Sequence, residues 1–371
     1  MGTVLEVTLR FCSLQSPVSG KRLLTWRTVV TALLSSLVLF SCSRHLQPKN
    51  ITVGFYYWRS VFQFDTRDQA YLDSLGVRCL YVKFFDVDWN PDHRSAVPTA
   101  SITFADHAPP GFEIVPTVFV TNRTMKRISH AGVVELAHNM TEKIVSQLAA
   151  ASIHDVRRVQ IDCDWTDQSR EEYFLLLEEL RQDLHPHGME VSVTVRLHQF
   201  AYAKQTGVPP VRNGVLMFYN MGDVEDPDAV SSILDVDLGQ TYLRDARSYP
   251  LTLDVALPLY RWGALFRRGK LVSLLHDLGP SDVRDTARFE CESEHVSVVK
   301  RGTYVRSVYT YPGDRIRLEC VTSQELIRSA HVLGHSFDQE NLQVVFYHLD
   351  PTIEREFSYE TLRRVVAAFA D

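Results

Sequence analysis

Hydrophobic and polar positions alternate in short bursts along most of this chain, and between the bursts lie stretches whose apolar residues recur every three or four positions. Period-two alternation marks strands, and recurrence near 3.6 marks helices buried along one face. The pattern predicts eight strands: ITVGFYYW (51–58), VRCLYVKFFDV (77–87), FEIVPTVFV (112–120), VRRVQIDCDW (156–165), MEVSVTVRL (189–197), GVLMFYN (214–220), LTLDVALPLY (251–260) and LQVVFYHL (342–349). Helical spacing fills most of the gaps. VVELAHNMTEKIVSQLAAA precedes the fourth strand, and SREEYFLLLEELRQDL follows it. The second of these helices aligns Tyr173, Leu176, Leu177, Leu180 and Leu184, with Ser169 and Glu172 placed to form a capping box.

Strands alternating with helices, and no Gly/Ser- or Pro-rich linker among them, predict one α/β domain over 43–371: a (β/α)8 TIM barrel, with a doubly wound sheet as the alternative. The gap between the seventh and eighth strands is too long for a single crossover. It carries β-like runs of its own, HVSVVKRG and DRIRLEC, so residues 263–340 are expected to form an insertion or an elaborated crossover.

The N-terminus follows different rules. Lys21, Arg22 and Arg27 precede TVVTALLSSLVLFSC, a basic flank and an apolar run that ends in small residues at Cys42. This is the layout of an export signal. Its end, LFSC, resembles the bacterial lipoprotein box, which implies a lipid on Cys42, a membrane anchor and a place in the bacterial cell envelope. Residues 1–42 are therefore set apart from the fold.

Without them the formal charge moves from −6 to −9, with 35 basic against 44 acidic side chains. An acidic body argues against a nucleic-acid partner. The cysteines after Cys42 form no C-x-x-C pair or zinc-site spacing, and no metal or cofactor is implied. Pairing of Cys291 with Cys320 is left open by the sequence. G-x-S-x-G, H-E-x-x-H and G-x-G-x-x-G are absent from it.

The fourth strand poses the chemical question. In VQIDCDWT, alternation puts Val159, Ile161, Cys163 and Trp165 on one face and Gln160, Asp162, Asp164 and Thr166 on the other. The apolar face should meet the helices and the acidic face the barrel interior. Same-face neighbours sit about 7 Å apart, near enough for one carboxylate to raise the pKa of the other. Such charges must be paired, protonated or solvated. The candidate partners are Arg196 and Lys83, and the C-terminal mouth of a barrel is where a solvated cavity occurs.

IDCDWT resembles the fourth-strand signature of the family 18 glycoside hydrolases, the chitinase group, in which aspartates alternate and a catalytic glutamate follows two residues after the last one. MFYNMGD (217–223) resembles that family's sixth-strand segment, where a methionine, a tyrosine and an aspartate line the sugar site, and ALPLYRWG (256–263) resembles its seventh. The chain is also similar to bacterial lipoproteins with chitinase-like barrels. It departs from the family in one decisive respect: Thr166 stands where the glutamate belongs, and a threonine is no general acid at pH 7.

The resemblance implies a saccharide ligand. It makes Asp162, Asp164, Asp167 and Asp223 the catalytic candidates, with Asp167 or Asp223 supplying the missing acid. Trp58, Asp86, Trp165, Arg196, His198, Tyr219, Tyr260 and Trp262 are the expected sugar contacts, since rings stack on the C–H faces of a sugar while polar groups bond its hydroxyls. Two functions follow: a lipid-anchored hydrolase acting on an extracellular or envelope polysaccharide, or a barrel that binds carbohydrate without cleaving it.

Overall fold

The computed structural model describes residues 49–106, 111–244, 246–350 and 352–370. Cys42 and the export-like segment lie outside them, and among the described residues no helix is long and apolar enough to cross a membrane.

Eight parallel strands close into a ring: β1 (Asn50–Tyr57), β2 (Cys79–Asn90), β3 (Glu113–Val120), β4 (Arg158–Asp162), β5 (Glu190–Arg196), β6 (Asn213–Met217), β7 (Thr252–Pro258) and β8 (Asn341–Tyr347). β1 pairs with both β2 and β8, which seals the sheet. All eight strands fall on the alternating bursts, and the fold is the expected TIM barrel.

Alternation sorts the side chains into two cores. Val159, Ile161, Cys163 and Trp165 of the fourth-strand segment pack outward in the large core under the helices. Tyr56, Tyr81, Val115, Val215, Met217, Tyr219 and Val345 fill the barrel itself. In β2 the register shifts between Lys83 and Phe85, so Phe84 and Phe85 both join the outer core. Such a bulge re-aims everything after it.

The helices include α1 (Thr66–Ser74), α2 (His130–Ala150), α3 (Arg170–Leu184), α4 (Val236–Tyr242), α5 (Ser323–Ser336) and α6 (Tyr359–Ala367). The five predicted α3 residues are all fully buried. The predicted capping box is not formed. The Ser169 hydroxyl donates to Asn122 Oδ1 (2.6 Å) and accepts from the Thr166 N–H (3.0 Å), tying the loop after β4 to the one after β3 instead of closing the helix. Between β2 and β3 the chain forms an antiparallel strand, Ser95–Thr99, on β2 and no described helix. A groove of about 540 Å³ remains there between Val87 and Trp89 of β2 and Leu136 and Met140 of α2.

After β7 the chain builds a five-stranded antiparallel sheet, in spatial order Lys270–His276, Arg261–Arg267, Arg315–Cys320, Val296–Val299 and Phe289–Cys291. Its own core holds Leu265, Leu275, Leu278, Val299, Ile316 and Leu318, and the hairpin Thr303–Val305/Val308–Thr310 lies beside it. Cys291 and Cys320 are free, exposed thiols.

A buried ion pair, Arg317–Glu319, joins this sheet to the barrel. Glu319 accepts from the Ser232 and Ile233 N–H groups (2.5 and 3.1 Å), while Arg317 donates to the Val224 and Asp226 carbonyls. Two charges withdrawn from water are tolerated only when so fully bonded. Together they fix the loop that follows β6.

Candidate functional site

The C-terminal ends of the strands open into a cavity of about 410 Å³. Of the expected residues, Trp58, Asp162, Arg196, Tyr219, Tyr260 and Trp262 line it. The rings form a connected cluster. Tyr347 lies 5.6 Å from Tyr56, 5.9 Å from Trp58, 5.5 Å from Tyr219 and 5.7 Å from Tyr260, and Tyr260 lies 5.3 Å from Trp262. Burial raises the pKa of Tyr56, Tyr219, Tyr260 and Tyr347, so they are neutral phenols. The Tyr56 hydroxyl donates to Gln160 Oε1 (2.8 Å), and that of Tyr260 to Asn220 Oδ1 (2.5 Å).

The two aspartates of the fourth-strand segment have different surroundings. The Asp162 side chain is 8% exposed and that of Asp164 is 47% exposed. Arg196, at the end of β5, serves both: its Nε is 2.5 Å from Asp164 Oδ1 and an Nη is 4.0 Å from Asp162 Oδ1. Thr194 donates its hydroxyl to Asp162. Burial pushes the Asp162 carboxyl above the usual range, Arg196 and Thr194 oppose the shift, and the Asp164 charge adds to it. Asp164 faces a side chamber of about 310 Å³ with His198 and Tyr242, and the chamber shares Arg196 and Asn220 with the main cavity. Burial lowers the pKa of His198, favouring its neutral form.

Lys83 belongs to a second pair, 2.9 Å from Asp86, with its ammonium 5.6 Å from the Trp58 ring centre. Asp86 lies close enough to raise the pKa of both Asp162 and Tyr347.

Three expected residues are placed elsewhere. Trp165 is fully buried on the helix side, stacked 5.2 Å from Tyr173 with its Nε1 donating to the Thr206 carbonyl. The strand alternation that sends Asp164 inward sends Trp165 outward. Asp167 is exposed and accepts from the Gln168 N–H (3.0 Å). Asp223 is exposed too, accepting from the Glu225 N–H (2.9 Å). Each bonds within its own loop, and neither lines the main cavity or the side chamber.

The structure also supplies residues that the pattern did not single out. Tyr56 shares a face with Trp58 two positions on, a signal present in the alternation. Tyr347 follows Val345 on the inner face of β8. Asn220 adopts a left-handed backbone (φ 53°), and His276 and Asp277 arrive from the inserted sheet. No local pattern announces the last two. Two polar atoms of the wall are buried without a partner among the described residues, Trp262 Nε1 and His348 Nδ1.

No family model and no curated protein matches the chain in sequence. In structure it is similar to the spore cortex-lytic enzyme SleL of Bacillus cereus, with a TM-score of 0.50 at 11% identity over 86% of this chain and 75% of that one. A chitinase from Chromobacterium violaceum aligns with a TM-score of 0.47 at 12% identity, covering 85% of this chain and 99% of that one. The Group IV chitinase of Ostrinia furnacalis aligns with a TM-score of 0.47 at 12% identity, covering 87% and 100%. The fold is a TIM barrel, similar to that of SleL.

Proposed function

We propose that this chain is a glycoside-hydrolase-like protein that takes a saccharide into its barrel mouth. The observation that carries the reading is the joined cluster of Tyr56, Trp58, Tyr219, Tyr260, Trp262 and Tyr347 around the Asp162–Arg196 pair. Aromatic faces suit the C–H faces of a pyranose, and the unpartnered Trp262 Nε1–H suits one of its oxygens. The relatives in fold include a chitinase solved with allosamidin and another solved with a chitooligosaccharide, which supports a sugar as the ligand class. Cys42 then serves as the lipid anchor, and an envelope polysaccharide as the source of the ligand. Calorimetric titration with short oligosaccharides from chitin and peptidoglycan tests the reading. Binding by the parent and its loss in Tyr347→Ala are expected; absence of binding to the whole panel counts against it.

A second reading, turnover, is favoured by the state of Asp162. It is a buried carboxyl in the mouth whose surroundings favour its protonated form, whereas Asp167 and Asp223 lie on exposed loops and Asp164 is held by Arg196. In this reading Asp162 gives its proton to the leaving glycosidic oxygen as the C–O bond breaks. Water adds to the anomeric carbon, and its released proton restores the carboxyl. Product release by the parent but not by Asp162→Asn, with binding retained in both, separates hydrolase from binder.

A further inference from the structure

Most large apolar side chains of this molecule are buried, but three tyrosines of the inserted region are not. Tyr304, Tyr309 and Tyr311 are 69%, 41% and 52% exposed. They form a row. Tyr304 and Tyr309 meet edge to face across the hairpin, ring centres 5.1 Å apart with planes at 73°, and Tyr309 and Tyr311 follow at 5.0 Å and 80°.

The row is built to hold its shape. Arg267 lies over the Tyr311 ring, 4.5 Å from its centre, and is fixed by two bonds to Asp314 (2.9 and 2.8 Å). Asp314 also accepts from the Tyr311 N–H (2.9 Å). At Gly302 a Cβ would come within 2.5 Å of the Tyr309 hydroxyl, so glycine leaves room for that ring to lie against the backbone. A platform ordered in advance loses little conformational freedom when a ligand stacks on it.

The row also continues from the mouth. Arg306, at the hairpin turn between Tyr304 and Tyr309, donates to the Asp277 carbonyl and to Asp282 Oδ2 (3.2 Å). Asp277 lines the mouth cavity, and its carbonyl accepts from Arg261 of the same wall as well. The hairpin tip is therefore pinned to the rim, with the tyrosines leading away from it.

We infer that Tyr304, Tyr309 and Tyr311 form an accessory saccharide-binding platform, which holds a polysaccharide chain outside the mouth while one of its sugars occupies the cavity. This rests on the saccharide reading of the mouth and sharpens it, because a ligand that spans both places is a polymer. The row presents ring faces and edges in alternation, with phenol hydroxyls and no carboxylate of its own, and this is chemistry that suits a neutral glycan.

Co-sedimentation with insoluble chitin and with purified peptidoglycan tests the inference, alongside titration of a chitin disaccharide and a peptidoglycan disaccharide into the same proteins. The variants are Tyr304→Ala/Tyr309→Ala and Tyr311→Ala, with Tyr304→Phe/Tyr309→Phe as the variant that keeps the rings. Exposed positions should leave thermal unfolding within about 2 °C of the parent. The expected result is at least a fivefold weaker hold on the polymer in both alanine variants, an unchanged disaccharide affinity, and near-parent behaviour with phenylalanine. Parent-like polymer retention in the alanine variants overturns the platform and leaves the mouth reading standing, as long as disaccharides bind. A parent that sediments with neither polymer overturns the platform as well. Polymer retention lost with the tyrosines, in a protein that binds no disaccharide, removes the mouth reading and with it the inference that one chain spans both places.

Discussion

The two ends of the barrel interior both bury charge, and they treat it differently. At the closed end Arg158 forms a two-pronged pair with Glu113 (3.2 and 3.3 Å), Asp254 accepts from the Gln343 N–H (2.9 Å), and Tyr81 donates to Gln343 Oε1 (2.7 Å). None of these groups leaves a buried side-chain polar atom without a partner. At the open end Asp86 Oδ1, Trp262 Nε1 and His348 Nδ1 have no partner among the described residues. An unmet buried polar group costs about 1–3 kcal/mol, so a molecule shaped only for stability would resolve both ends alike. The contrast marks the open end as the one left ready for something else.

The largest break in this comparison should come from Arg196→Met. Removing the guanidinium leaves the buried Asp162 carboxyl bonded to Thr194 alone beside the half-exposed Asp164, and chemical denaturation should show a loss of up to about 3 kcal/mol, together with loss of saccharide binding.

At the closed end the expected sign is opposite. Burial raises the pKa of Asp254 from 3.8 to about 6. Its neutral form suits the fold, so this carboxyl costs nothing below pH 4, and its penalty grows as pH rises through about 6. Asp254→Asn keeps an acceptor for Gln343 and removes the penalty. A gain of about 1–3 kcal/mol at pH 7.5 that vanishes by pH 4 is expected in parallel thermal or urea melts.

Trp262→Phe keeps a ring and deletes the unpartnered donor. Stability should hold or rise slightly, while saccharide affinity falls roughly fivefold, about 1 kcal/mol for one hydrogen bond. Titration calorimetry reads the second effect and a melt reads the first.

The smallest effect on stability is expected at Asp164→Asn. Its side chain is nearly half exposed, so its pair with Arg196 is screened and should be worth under about 1 kcal/mol. A loss of 3 kcal/mol or more in a denaturant titration would instead make Asp164 a structural anchor.

The barrel was legible because each strand is buried on both faces in a regular way, and Ile51, Val159 or Leu342 can be placed from parity alone. Parity also placed Asp162 and Asp164 inward and should have excluded Trp165, whose position next to Asp164 in sequence is its distance from Asp164 in the fold. What parity could not reach lies off the strands. Asp167 and Asp223 sit in loops whose course depends on bonds such as Ser169 to Asn122 and Ser232 to Glu319. His276 and Asp277 reach the mouth only because the inserted sheet is fastened against it. In β2 a register shift decides which residues face in, and the adjacent Phe84 and Phe85 between Lys83 and Asp86 are its trace in the sequence.

The Arg317–Glu319 pair has one more consequence, which concerns inheritance. A sheet with its own core resembles a cassette that recombination could move from barrel to barrel. This one carries an arginine and a glutamate whose remaining bonds are all to the loop after β6, at Val224, Asp226, Ser232 and Ile233. Transplanted without that loop, it would bring two stranded charges to its new host. The insert and the sixth crossover must therefore change together, and the wall that the insert gives to the mouth descends with the barrel that it serves.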